Sequence, residues 1–389
     1  MSRNEGPQDD RNKENQIDTQ SRERRKVSYF DYSLLFVIIF LICFGFLMMY
    51  SASSFSGTLK YGDSRYFLNK QLKASFLGLL VMIGCMVINY NLLKKFSVLM
   101  YGASLVMVTL VWSPIGMEFN GARRWISVLG MSFQPAEFVK LTVIIITAHY
   151  LTLNYKRLNN FVEVFKAMGF GIFGTLWVGI ITKNMSSAII IMAITFVMVF
   201  VASKNWKEFI LMGLAMIPVA VAGIFLAAFR AERFKVWLHP VKYSSKGGYQ
   251  ILQGLYAIGS GGILGKGLGQ SVQKLGYIPE AQNDYVFAII CEELGLVGAF
   301  AVIFMFMFII YRMYIIANNA PNLFASMMVV GVMTQIAIQV ILNIAVVTKA
   351  LPNTGVTLPF ISYGGTSVLF LMFEIGIVLG VSRTIRRIN

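Results

Sequence analysis

Apolar residues in this chain are neither strictly alternating nor confined to one helical stripe. They come in long runs separated by short polar breaks. A run of about 20 apolar residues is what an α-helix needs to cross the hydrocarbon of a bilayer, where every backbone group must be satisfied within the segment. Ten such runs are predicted, at 32–52, 73–90, 96–112, 135–153, 167–182, 186–203, 209–229, 285–311, 323–347 and 363–381. Only Lys183-Asn-Met divides the fifth from the sixth. The fold class predicted is all-α, a polytopic integral membrane protein. Residues 1–28 are polar and charged with almost nothing to bury, and are expected to form a disordered cytoplasmic tail. Residues 29–389 are expected to form one membrane domain, interrupted by a large outer loop at about 230–284.

Composition agrees with the pattern: 57% of the 389 residues are hydrophobic and 13% charged, too little charge for a soluble domain of this length. The formal net charge of +16 therefore does not call for nucleic acid; it suits anionic headgroups, phosphate-bearing ligands and orientation signals. Arg22, Arg24, Arg25 and Lys26 precede the first run. Lys94-Lys95, Lys156-Arg157, Lys204, Lys207, Arg312, Arg383, Arg386 and Arg387 fall in alternate breaks, which places both termini in the cytoplasm. The loop at 230–284 is also basic, holding Arg230, Arg233, Lys235, Lys242, Lys246, Lys266 and Lys274 against Glu232, Glu280 and Asp284. Long loops cross largely regardless of charge, so it is placed outside, where its cations call for an anionic substrate. Cys43, Cys85 and Cys291 lie in apolar runs and the only histidines are His149 and His239, which argues against a disulfide framework or a histidine metal centre.

Several stretches can carry chemistry. Asp284 stands where a polar loop meets an apolar run, dry enough for an altered proton affinity or well placed to cap the helix that follows. Arg123 and Arg124 adjoin Trp125 and suit either a phosphate or lipid headgroups at the interface. Glu137 and Lys140 share a helix face at i, i+3 and either pair or line a polar cavity. The glycines from Gly259 to Gly269 lack the spacing of a nucleotide loop and are read as tight turns and close backbone approach. Gln335, Gln339 and Asn343 form a polar stripe for interhelical hydrogen bonds. Glu374, buried in the last run, is open to a proton-relay reading or to a hydrogen bond with a neighbouring helix.

Taken together, N-G-A-R-R-W-I, Q-P-A-E-F-V-K, Y-Q-I-L-Q, G-S-G-G-I-L-G-K-G, Y-I-P-E-A-Q-N-D-Y-V-F-A, E-E-L-G-L-V-G and L-P-F-I-S-Y-G-G resemble the SEDS family of bacterial cell-wall proteins (shape, elongation, division and sporulation). The resemblance covers about 30–385, and S-V-Q-K-L-G-Y-I-P-E-A with the polar tail is more similar to the division branch than to the elongation branch. It implies ten helices in the bacterial cytoplasmic membrane, both termini cytoplasmic, work at the division septum, and polymerisation of lipid II onto a polyprenyl-linked glycan chain. It further implies a class B penicillin-binding protein and other divisome proteins as partners, no nucleic acid, no organic cofactor, and a divalent cation, Mg2+ or Mn2+, that could share the phosphate charge.

The resemblance aligns Asp284 with the family's essential aspartate, which would act as the base, with Lys140 holding it ionised. The candidate substrate-binding residues are Arg123, Arg124, Glu137, Lys140, Lys274, Glu280, Ser362 and Tyr363. Asn184 stands where many relatives have an acid, Gln282-Asn283 replaces a histidine-containing pair, and Thr366 replaces serine. The competing functions are a lipid II flippase and a non-catalytic scaffold for the penicillin-binding protein.

Overall fold

The computed structural model describes residues 26–28, 30–119, 122–128, 131–203, 209 and 228–388. Among them are eleven α-helices, nine of which are long and apolar enough to cross a membrane. In chain order the helices are α1 (Tyr32–Tyr61), α2 (Tyr66–Val87), α3 (Asn91–Thr109), α4 (Pro135–Asn154), α5 (Phe161–Ile181), α6 (Met185–Ala202), α7 (Ala228–Leu238), α8 (Gly248–Gly261), α9 (Val286–Asn318), α10 (Leu323–Val347) and α11 (Gly365–Thr384). The chain is a multi-pass membrane protein. The tail expected at 1–28 and the run expected at 209–229 lie almost entirely outside the described residues.

Helix limits follow local chemistry more than apolarity. Asp31, Asn160, Asn184 and Asn322 accept hydrogen bonds from first-turn N–H groups of α1, α5, α6 and α10, and α4 opens on Pro135. Helix α1 continues to Tyr61 instead of ending at 52. Along its polar end the hydroxyls of Ser54 and Thr58 are satisfied within the helix, on the carbonyls of Ser51 and Ser54. It stops at Gly62, in the left-handed region at φ 71°. Helix α9 runs past the predicted 311 because Arg312, instead of ending the span, forks onto Asp31 at 2.8 Å.

Two parts of the fold are absent from the all-helical expectation. Three short strands, β2 (Gly116–Phe119), β3 (Ala122–Val128) and β4 (Met131–Phe133), form an antiparallel meander between α3 and α4. At the opposite end of the sequence, β1 (Lys26–Ser28) pairs antiparallel with β5 (Arg386–Ile388), so the two ends of the described chain meet. The loop at 230–284 is itself partly helical, carrying α7 and α8.

Helices α4, α10 and α11 supply much of the buried interior, while α2, α3 and α5 turn large apolar side chains outward. Helix α11 packs along α2 through Gly376, where a Cβ would sit 2.6 Å from the carbonyl oxygen of Met82. Small residues at such crossings let helix backbones approach where lipid offers no hydrophobic drive to associate.

Candidate functional site

Asp284 lies at the end of a loop that is stitched to α9 from one side and to α10 and α11 from the other. On the first side, the N–H groups of Lys266 and Gly267 donate to the carbonyls of Glu292 and Glu293, each at 2.9 Å, and Leu296 N–H donates to Gly262 O at 3.0 Å. A continuous helix could not lend those groups. Helix α9 is broken at Gly295, with φ 66° and ψ −161°, and a Cβ on Gly265 would lie 2.2 Å from the Glu293 carbonyl oxygen.

Two buried acids complete the attachment. Glu292 accepts from Lys266 Nζ at 2.6 Å, Ser271 Oγ at 2.5 Å and the Val272 N–H at 3.1 Å. Glu293 accepts from Ser51 Oγ at 2.6 Å and Lys274 Nζ at 2.8 Å, tying the loop to α1 as well. On the second side, Tyr363 N–H donates to Gln282 O at 2.9 Å. Asn343 on α10 spends both amide hydrogens, one on Asp284 O at 2.8 Å and one on Val356 O at 2.7 Å.

With its backbone held, the Asp284 side chain remains partly exposed and takes no capping role: the N-cap of α9 is Tyr285, and no side chain bonds there. The glycine backbone at Gly355 approaches it, a Cβ there falling 3.9 Å from Oδ2. Burial pushes the Asp284 carboxyl up to about 7, and the Glu280 charge adds to the rise. Its own backbone N–H and the Arg233 guanidinium act against the rise.

Arg233 reaches Asp284 because α7 docks on the turn after α10. Trp237 Nε1 donates to Lys349 O at 3.0 Å and Arg233 Nη1 to Asn353 O at 3.2 Å. Arg124, on β3, donates to Thr182 O at 3.3 Å and to Lys183 O at 3.0 Å, at the C-terminal end of α5. Burial first, and then the charge of Arg233, weigh against the positive charge of Arg124. The charge of Arg233 thus bears on both Arg124 and Asp284.

The other sequence candidates are distributed differently. Arg123 does not join Arg124: neighbouring strand residues face opposite sides, and Arg123 pairs with Glu118 at 3.3 Å over the Trp112 ring. Lys140 has its hydrogen-bonded ion pair with Glu137, where it is buried at 2.8 Å, and Ser367 Oγ donates to the same carboxylate oxygen at 3.3 Å. Lys274 is buried on Glu293 and so is turned away from any solvent-borne anion.

Glu280 is exposed, at φ 51°, and accepts from Asn283 Nδ2 at 2.9 Å. Ser362 and Tyr363 shape the turn that backs the Asp284 loop: Ser362 Oγ accepts from Leu358 N–H at 2.9 Å, and Phe67 meets the Tyr363 ring edge-to-face at 5.1 Å. Asn184 caps α6 through Ser187 N–H at 3.2 Å. Sequence reasoning did not single out Arg233, Asn343 or the pair Glu292–Glu293 for these places.

No group of three or more His, Cys, Asp and Glu side chains able to hold a metal occurs among the described residues. The nearby carboxylates, Asp284 and Glu280, could serve a divalent cation only together with oxygens of a bound phosphate.

Known proteins share this architecture. A chain of a peptidoglycan synthase complex, solved for how it coordinates polymerization and crosslinking, superposes with TM-score 0.73 at 26% identity, covering 91% of this chain and 98% of its own. The rod shape determining protein RodA of Thermus thermophilus superposes with TM-score 0.64 at 25% identity, over 91% of this chain and 97% of its own. In sequence, stage V sporulation protein E of Bacillus subtilis is 37% identical over 91% of this chain and 97% of its own length. A probable peptidoglycan glycosyltransferase FtsW of the same organism is 35% identical over 93% of both. Residues 32–387, which include every element that seats Asp284, match the FtsW, RodA and SpoVE family of cell cycle proteins, and the chain belongs to that family.

Proposed function

We propose that this chain polymerises lipid II into the glycan strands of peptidoglycan, with Asp284 as the base and Arg124 and Arg233 as the anion site. The protein is a peptidoglycan glycosyltransferase, the activity by which its FtsW relatives are named. The observation that carries the residue assignment is the seat of Asp284: a carboxyl raised to about 7, backbone-locked on both flanks, with cations leading up to it.

In the reaction, a sugar hydroxyl of one lipid-linked disaccharide attacks the anomeric carbon of the growing chain. Asp284 takes the hydroxyl proton, the new glycosidic bond forms, and the bond to the lipid pyrophosphate breaks with its electron pair leaving on the phosphate oxygen. A base that titrates near neutrality is available and still strong enough to take the proton as the bond forms. The leaving group is already anionic, so positive charge at Arg124 and Arg233 does for it what a second, protonated carboxyl does in glycoside hydrolases. A divalent cation, when bound, would neutralise part of the same pyrophosphate charge.

The likeness to a peptidoglycan synthase complex supports a partner that cross-links the product, and a class B penicillin-binding protein has that chemistry. The meeting of β1 and β5 and the basic breaks of the sequence support both termini facing the cytoplasm across the bacterial inner membrane. Relatives named for division and for sporulation support a role at a septum.

The test is glycan synthesis by the purified protein with its partner, the partner's own polymerase activity excluded. Polymer from the wild type and none from Asp284→Asn, at equal expression and partner binding, is the expected result. Full activity of Asp284→Asn would remove the base assignment, and lipid II translocation without polymer would replace the enzyme with a flippase.

A further inference from the structure

Glu374, in the middle of α11, is fully buried, as is Gln335 on α10. Gln335 Nε2 donates to Glu374 Oε2 at 3.0 Å. The other oxygen of each side chain, Oε1 of Gln335 and Oε1 of Glu374, is buried with no hydrogen-bond partner. Two orphaned acceptors on one bonded pair of side chains cannot satisfy each other unless a proton lies between them.

Charge leads to the same place. The charged groups that reach Glu374 are Lys140 and Glu137, both from α4. Lys140 is already held by Glu137 at 2.8 Å, so one cation faces two carboxyls. An ionised Glu374 would be a second buried anion competing for a committed cation, whereas a neutral Glu374 leaves one positive and one negative charge.

We propose that Glu374 is a neutral carboxylic acid whose Oε1–H donates to Gln335 Oε1, closing a two-bond acid–amide ring that locks α10 to α11. No charge then needs to be relayed through Glu374. The ring is a positioning device. Eight residues along α10 from Gln335, about two helical turns, Asn343 holds the carbonyl of Asp284. Helix α11 begins two residues after Tyr363, whose N–H holds the carbonyl of Gln282. The ring therefore fixes the relative depth of the two elements that back the catalytic loop. The positioning role rests on the function proposed above; the protonation state does not.

Infrared spectra of the full-length protein in lipid nanodiscs at pH 7 test the inference without reference to activity. The wild type should show a protonated-carboxyl C=O band, deuterium-sensitive, that Glu374→Gln lacks. Gln335→Leu should move that band to higher frequency, as a carbonyl freed of its donor. Glu374→Gln can rebuild the ring as an amide pair, so its glycan synthesis and melting temperature should stay within about threefold and a few degrees of wild type, while Glu374→Ala and Gln335→Leu lower both. Absence of the band from the wild type, or its survival unchanged in both Glu374→Gln and Gln335→Leu, overturns the protonated acid. A folded Glu374→Gln as inactive as Glu374→Ala overturns the ring and favours an ionised group.

Discussion

Asn343 Nδ2 lies 2.8 Å from the carbonyl oxygen of Asp284 and 2.7 Å from that of Val356, so one buried amide joins the Asp284 loop to the loop that follows α10. Replacing it by leucine strands two carbonyls. Asn343→Leu should lower kcat by about tenfold or more, with a smaller change in KM, because it moves the base and not the binding surface. Steady-state kinetics on detergent-solubilised protein checks this; a pure KM effect would detach Asn343 from the base.

If Asp284 is the base, its carboxyl, raised to about 7, should set an acid limb on activity. Below that pH the base is protonated, and kcat/KM should fall about tenfold per pH unit. Arg233 favours the ionised form and Glu280 disfavours it. Arg233→Gln should therefore move the limb to higher pH and Glu280→Gln to lower pH. Stability runs the opposite way to activity. The folded state holds this proton more tightly than the unfolded chain, at about 7 against 3.8, so the contribution is present at low pH and is lost as pH rises through that window. At pH 8, Asp284→Asn should melt above the wild type while making no polymer.

The two adjacent arginines should separate in function. Arg124 is anchored at the end of α5 and senses Arg233, whereas Arg123 is exposed on Glu118. Arg124→Gln is expected to cost about tenfold to a hundredfold in kcat/KM. Arg123→Gln should stay within about threefold, as exposed ion pairs contribute little. Equal losses would restore the paired clamp suggested by their adjacency in the sequence.

Lys274 should behave as a structural residue. Lys274→Met leaves Glu293 buried without its cation and is expected to cost about 3–5 kcal/mol, read as a lowered melting temperature. Lys274→Met with Glu293→Gln should recover part of that loss. A KM for lipid II raised at unchanged stability would return Lys274 to the substrate.

What could be read from the sequence was what depends on local pattern. Nine of the ten predicted runs sit on described membrane helices plainly enough that Pro135 and the Asn184 cap fall at or beside predicted limits, and the i, i+3 spacing of Glu137 and Lys140 anticipates their ion pair. Asp284 was legible as a boundary acid. Its partners were not, because they come from three other elements. Nothing in the run from Arg230 to Lys274 marks Arg233 as the cation that α7 carries to Asp284 once Trp237 docks on Lys349. The meander was hidden for another reason: Ala122–Val128 mixes two arginines with apolar residues, a pattern that reads equally as an interfacial loop until β2 and β4 pair with it.

The break at Gly295 hands two helix carbonyls to the N–H groups of Lys266 and Gly267, residues that look like surface loop. Their amides are bonded into α9, next to the buried ion pairs of Glu292 and Glu293. Measured by hydrogen exchange, these two amides should therefore open on the slow timescale of the bundle, while those of nearby exposed turns exchange by local fluctuation. On that expectation the slowly exchanging body extends beyond the membrane helices into the loop that ends at Asp284, and the base proposed there is carried by scaffold, not by a flap.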